Sequence, residues 1–197
     1  MKPITLFGLV ISVAIGLHGQ PAQATLLEFG ADLTGADENP ANASPGTGTA
    51  LVILDTIANT LRVEVSFSGL LGTTTASHIH CCETSPGANA NVSVATTTPT
   101  FPSFPLGVTF GSYDHTLDLT NATSYNPAFI TAEGGTVGVA EAALIAGLET
   151  RETYLNIHTT TFPTGEIRGT LAPVPEPGTL LLVCMGLLGM GLIRRFT

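Results

Sequence analysis

Leu61-Arg62-Val63-Glu64-Val65-Ser66-Phe67 alternates apolar and polar side chains without a break. A period of two belongs to a strand with one face in a core and the other in water. Leu61, Val63, Val65 and Phe67 are therefore expected inside, and Arg62, Glu64 and Ser66 outside. Just upstream, residues 49–55 contain Leu51-Val52-Ile53-Leu54, which reads as a buried strand, and Asp55-Thr56-Ile57-Ala58-Asn59 supplies a turn. The two strands form an antiparallel hairpin on this reading.

The same reading extends outward. Residues 26–33 make a first strand, and residues 38–48, rich in Pro, Gly, Asn and Ser, a loop. Residues 108–119 and 153–158 are further strands, and residues 166–171 close the domain after the tight turn Phe162-Pro163-Thr164-Gly165. Residues 83–106 form a long connection with four prolines, in which residues 92–96 make a short strand. Only residues 136–148, with Val139, Ala140, Ala143, Leu144 and Leu148, suit a helix. Seven or eight strands and one helix predict a β-sandwich or Greek-key barrel.

Composition narrows the function. The chain of 197 residues carries a net charge of −9, only 11% charged residues and no Trp. So few Lys and Arg residues exclude nucleic acid as a partner, because phosphate contacts need them. Lys2, the apolar run 4–17 and Ala22-Gln23-Ala24 have the layout of a secretory signal over residues 1–24, too short for a membrane span. At the other end, Pro173-Val174-Pro175-Glu176-Pro177-Gly178 reads as a stiff linker before an apolar run at 179–193 and the pair Arg194-Arg195. As a helix that run is about 22 Å long, short of a hydrocarbon core of about 30 Å, so it suits transient insertion in the inner membrane. The arginine pair would hold its end at the cytoplasmic face. Once both ends are removed, the domain 25–172 keeps Arg62, Arg151 and Arg168 as its only Lys/Arg cations and Cys81 and Cys82 as its only cysteines.

Two segments carry candidate chemistry. In Ser77-His78-Ile79-His80-Cys81-Cys82, an extended backbone puts His78, His80 and Cys82 on one face and Ile79 and Cys81 on the other. His158, in Leu155-Asn156-Ile157-His158, lies on a strand that is able to pair with it. Imidazole and thiolate ligands together suit zinc or copper, with His78, His80, His158 and Cys82 as the set. The competing reading makes the histidines structural core residues, each donating to a backbone carbonyl or a carboxylate. Cys81-Cys82 is open to a vicinal disulfide, metal ligation, bridges to another chain, or burial as thiols. Their Cα atoms are only about 3.8 Å apart across a trans peptide, below the usual disulfide range. Glu166 and Arg168 share a strand face and are placed to pair with each other or across strands. His115 reads as a surface residue. No Ser-His-Asp order, phosphate loop or carboxylate pair is present, which argues against an enzyme.

The tail, with Pro175, Glu176, Pro177, an apolar run and terminal arginines, resembles the PEP-CTERM sorting signal. That resemblance implies an export machinery and an exosortase-type peptidase as partners, membrane anchoring before processing, and release to the cell surface or an exopolysaccharide matrix afterwards. The middle resembles the CHRD domain in three blocks: Ala76-Ser77-His78-Ile79-His80, Tyr154-Leu155-Asn156-Ile157-His158-Thr159, and Pro163-Thr164-Gly165-Glu166-Ile167-Arg168-Gly169. Asn156, Gly165, Glu166, Arg168 and Gly169 are its motif residues here. The resemblance implies an immunoglobulin-like β-barrel distantly like the copper–zinc superoxide dismutases, without a settled activity. Dismutase chemistry would need a bridging histidine and more ligands than these residues supply. Sequence therefore favours a non-enzymatic exported surface or matrix domain, with metal binding at His78, His80 and His158 as the alternative. A sugar-binding module is disfavoured by three Tyr and no Trp, a poor supply of stacking rings.

Overall fold

A computed structural model describes residues 26–175. The signal segment 1–24, the residues Glu176 and Pro177, the apolar run and the arginine pair lie outside the described residues. Among the described residues no helix is long and apolar enough to cross a membrane.

The chain is mainly β. Its strands are β1 (Leu26–Thr34), β2 (Thr47–Asp55), β3 (Thr60–Ser68), β4 (Thr74–His80), β5 (Gly111–Asp118), β6 (Tyr154–Thr159), β7 (Ile167–Thr170) and β8 (Ala172–Pro173). They form one antiparallel sheet, curled into a half-barrel, in the order β4-β6-β7-β1-β2-β3-β5, with β8 also on β1. The hairpin read from the alternation is present: β2 and β3 pair from Thr47↔Ser68 to Asp55↔Thr60. Leu61, Val63, Val65 and Phe67 are buried, while Arg62 and Ser66 are exposed. Against the expectation of a fully buried run, β2 alternates too: Val52 and Leu54 are buried, Leu51 and Ile53 only half-buried. Over β2 and β3 the outer face of the sheet meets water, so only every second apolar side chain reaches the core.

Two helices cap the open side. Asn126 caps α1 (Pro127–Ala132) by accepting from the Ala128 amide, and Pro127 starts it with φ already suited to a helix. This short helix stands where the sequence shows only a Tyr125-Asn126-Pro127 turn. The expected helix is α2 (Val137–Glu149), capped by Thr136 and buried along Ala140, Leu144, Gly147 and Leu148. That spacing is a single helical stripe laid on the core. Phe101 and Phe104 from the long connection join Phe67 and Tyr113 in ring contacts. His115 is half-buried beside Tyr113 on the core side of β5, not on the open surface.

The sheet face opposite the core changes character along its width. Over β2 and β3 it carries Thr49, Glu64 and Ser66 and faces water. Over β4, β6 and β7 it carries His78, His80, Tyr154, Asn156 and Arg168, and these are buried. The connections 35–46 and 81–107 cover them, so the domain holds a second, polar interior.

The segment read as a linker begins inside the sheet. Pro173 pairs with Phe29 in β8, and the Val174 amide donates to the Glu28 carbonyl at 2.8 Å.

Candidate metal centre

Strand register brings the three histidines together. Across the β4–β6 ladder Ala76 stands opposite His158, His78 opposite Asn156, and His80 opposite Tyr154. Directly opposed residues point to the same face, so His78, His80 and His158 share the polar interior. Ring centroids are 5.7 Å apart for His78 and His80, 5.1 Å for His78 and His158, and 6.3 Å for His80 and His158. One ring nitrogen from each lies within 4.8 Å of one from each of the others.

Each ring is aimed by a backbone carbonyl. His78 Nε2 lies 2.6 Å from the Pro99 oxygen, His80 Nδ1 2.7 Å from the Val92 oxygen, and His158 Nδ1 2.9 Å from the Pro163 oxygen. A carbonyl only accepts, so each imidazole donates there and its tautomer is set. The remaining nitrogens, His78 Nδ1, His80 Nε2 and His158 Nε2, are buried and have no hydrogen-bond partner. Burial pushes His78 and His80 down to about 4, against the upward pull of their carbonyl bonds, and the neighbouring histidines add to the fall. Burial lowers His158 as well. All three are neutral at pH 7, the form that binds metal.

The donor set fits a transition metal. A ligating imidazole characteristically donates its second N–H to a carbonyl or carboxylate, as all three do here. Three buried nitrogens without a hydrogen-bond partner are costly unless something shares their lone pairs. Two nitrogens on one tetrahedral zinc stand about 3.4 Å apart, and the ligand atoms of these three residues lie within 4.8 Å of one another.

Arg168 braces this group. Its guanidinium carbon lies 3.9 Å from the centroid of the Tyr154 ring, and Tyr154 stacks on His80 at 4.6 Å. The guanidinium also donates to Asn91 Oδ1 at 2.9 Å, to the Ala90 carbonyl at 3.3 Å and to Asn89 Oδ1, with Glu83 Oε1 at 3.9 Å. Residues 89–91 lead directly into Val92, whose carbonyl orients His80.

Glu166 and Arg168 do not pair with each other, contrary to one expectation. The Glu166 carboxylate accepts from Ser44 Oγ, Leu71 N and Thr159 Oγ1 at 2.6 Å each and from Gly72 N at 3.1 Å. Burial would raise this acid, but the four donors outweigh it and hold its pKa down. Glu38, by contrast, is pushed up to about 7, chiefly by burial, with Arg168 pulling the other way. Its carboxyl packs on Gly165, where a Cβ would collide with it, and that glycine has φ +135°. Gly169 likewise lets the Asp32 carbonyl lie against β7.

The cysteines stand apart from the histidines. β4 ends at His80, and Cys81 and Cys82 form a disulfide directly after it. The alternation therefore stops two residues short of Cys82 and does not carry it to the histidine face. A Cβ on Gly147 would lie 2.6 Å from Cys81 Sγ and 3.0 Å from Cys82 Sγ, so both sulfurs rest on α2. Cys82 is not in the histidine group, and its sulfur is already bonded. The orienting carbonyls of Val92, Pro99 and Pro163 had no signal in the sequence, because every residue has a carbonyl. Glu38, Glu83 and Tyr154 were missed as partners for the same reason of placement: they come from loops and a strand end without local pattern.

Comparison with known families gives two matches. The family model described as CHRD domain matches residues 29–171, and the PEP-CTERM protein-sorting motif matches residues 173–195. No curated protein and no solved structure matches the chain significantly.

Proposed function

Since this chain belongs to the CHRD domain family, over residues 29–171, and carries a PEP-CTERM protein-sorting motif, we propose that it is a non-enzymatic surface or matrix domain that holds zinc or copper at His78, His80 and His158. The sorting motif marks it for export and handling by an exosortase-type system. Cell-surface display, a membrane-anchored stage before processing, and contact with exopolysaccharide or surface proteins are parts of the proposal. The disulfide Cys81–Cys82 suits an oxidising compartment.

One observation carries the metal reading: three neutral imidazoles, each held by a carbonyl, keep a second buried nitrogen without a hydrogen-bond partner, in a group whose ligand atoms lie within 4.8 Å of one another. The bound ion would supply a structural cross-link between β4 and β6. The chain's own residues supply the orientation.

Elemental analysis of the domain 25–172, expressed into an oxidising compartment, tests this. One zinc or copper per chain is expected, and none after His78, His80 and His158 are all replaced by Ala. A domain that takes up neither metal, and whose stability does not change when either is added, overturns the reading.

A further inference from the structure

We propose that, before processing, the end of the domain bearing Leu26, Ile57 and Val174 rests on the zwitterionic headgroups of the bilayer, with the histidine face turned away. The inference rests on the membrane-anchored stage proposed above. It starts from how the chain leaves the sheet. The last described bond of the tail is Val174 N to the Glu28 carbonyl, and β8 runs antiparallel to β1. The chain therefore exits alongside Leu27 and Leu26, where β1 begins. Both hydrophobic segments of the sequence, 4–17 and 179–193, thus attach at one end of one strand pair.

Length decides the orientation. Only residues 175–178 separate Val174 from the apolar run. Four residues span at most about 14 Å. The headgroup zone alone takes up about 5–7 Å of that on each side of a bilayer. The described domain, residues 26–175, has an expected radius of gyration of about 15 Å. A tether shorter than the body it holds leaves no room to swing, so the exit end faces the membrane.

That end has the surface for it. Leu26 is 48% exposed, Ile57 60% and Val174 41%. Register places them together: Leu26 pairs with Asp55, and Ile57 sits in the turn that follows. Single exposed apolar residues mean little by themselves, but here the tether has already turned them toward lipid. Glu28, Asp55 and Glu149 surround them. Their charge keeps the contact at headgroup depth and favours zwitterionic over anionic lipid.

The histidines lie at the other end. Thr34 pairs with Arg168, about 26 Å along β1 from Leu26. Ile157 pairs with Ile167, which puts His158 at the same far end. Leu71, Leu106 and Phe110 are the exposed apolar residues there, and they provide the control.

The test uses the chain 25–197 with Cys184→Ser, in phosphatidylcholine vesicles containing a headgroup-spin-labelled lipid. A fluorophore is attached at Ile57→Cys in one sample and at Phe110→Cys in another. Both positions are exposed, and the Cys81–Cys82 disulfide leaves no competing thiol. Circular dichroism checks that each variant is folded. The expected result is co-flotation with the vesicles, loss of fluorescence at position 57 and none at position 110. Flotation with equal loss at both positions, or greater loss at 110, overturns the orientation alone. A chain that does not float overturns the anchored stage and the orientation with it.

Discussion

His158 stands across the β4–β6 ladder from Ala76, not from His78. The offset leaves the smallest of side chains opposite the imidazole, which leans over it until its ring centre is 5.1 Å from that of His78. The histidine group thus depends on a position with almost no side chain.

Ala76→Leu should fill that gap and push His158 away from the other two rings. Ala76 is half-buried, so the larger side chain fits without a core collision. Metal affinity is expected to fall about tenfold to a hundredfold, the usual scale for disturbing a ligand's support. Calorimetric titration with zinc, alongside a urea melt of the metal-free domain, separates loss of binding from loss of fold.

Acid should destabilise the metal-free domain, and Glu38 should soften the effect. His78 and His80 lie near 4 in the folded chain, below the ordinary 6.5. Between those values the unfolded chain takes up protons that the folded one refuses, so this stability is present above pH 6.5 and lost on the way to 4. Glu38 works the other way: with a folded value of about 7 against 4.5, it favours folding at low pH and loses that as pH rises through 7. Glu38→Gln should therefore steepen the acid side of the stability profile, by about 1.4 kcal/mol per pH unit for the one proton removed. It should also flatten the fall near pH 7. Urea midpoints from pH 4 to 8 measure both slopes, and an unchanged acid slope in the variant refutes the assignment.

Arg168→Ala should cost about 3–5 kcal/mol, because Glu83 is left buried without its cation and Asn89 and Asn91 lose their donor. Arg168→Lys keeps the charge but not the planar fork. It should recover part of the stability while still weakening metal binding, since residues 89–91 no longer fix the Val92 carbonyl behind His80. Chemical denaturation and metal titration on both variants check the split.

Glu166→Gln should cost about 2–3 kcal/mol, as an amide nitrogen replaces one acceptor, either the one facing the Leu71 amide and the Ser44 hydroxyl or the one facing the Gly72 amide and the Thr159 hydroxyl. Its folded pKa is depressed, so the wild-type contribution is present above the ordinary carboxylate range and disappears as pH falls through the folded value. The gap between variant and wild type in urea should close in acid.

What was legible in the sequence follows its physics. The alternation in 61–67 named the buried set of β3, because one face of that strand meets solvent and the other a core. The Leu51–Leu54 run misled, since apolar residues on both faces do not mean burial on both. The β4 alternation was legible through His80 and failed at Cys82, where the strand ends. His78, His80 and His158 were visible as residues, but only register across Ala76 put them on one face. The buried Glu38 and Glu83 were not visible, because loops 35–46 and 81–107 carry no periodic signal and charged residues are expected in water.

The 81–107 connection has one more effect. Its backbone and hydroxyls bond the outer edge of β4: Ala95 N to Ile79 O at 2.9 Å, Phe101 N to Ser77 O at 3.1 Å, and the Ser77 and Ile79 amides to Thr100 and Thr96 hydroxyls at 3.0 Å. That seals one margin of the half-barrel and leaves β5 at the other end of the strand order. β5 carries Asp114 and Asp118. A second copy adding its own β5 there antiparallel, with Asp114 opposite Asp118, would bring carboxylates against carboxylates. Edge-to-edge pairing of two copies in that register is thereby disfavoured.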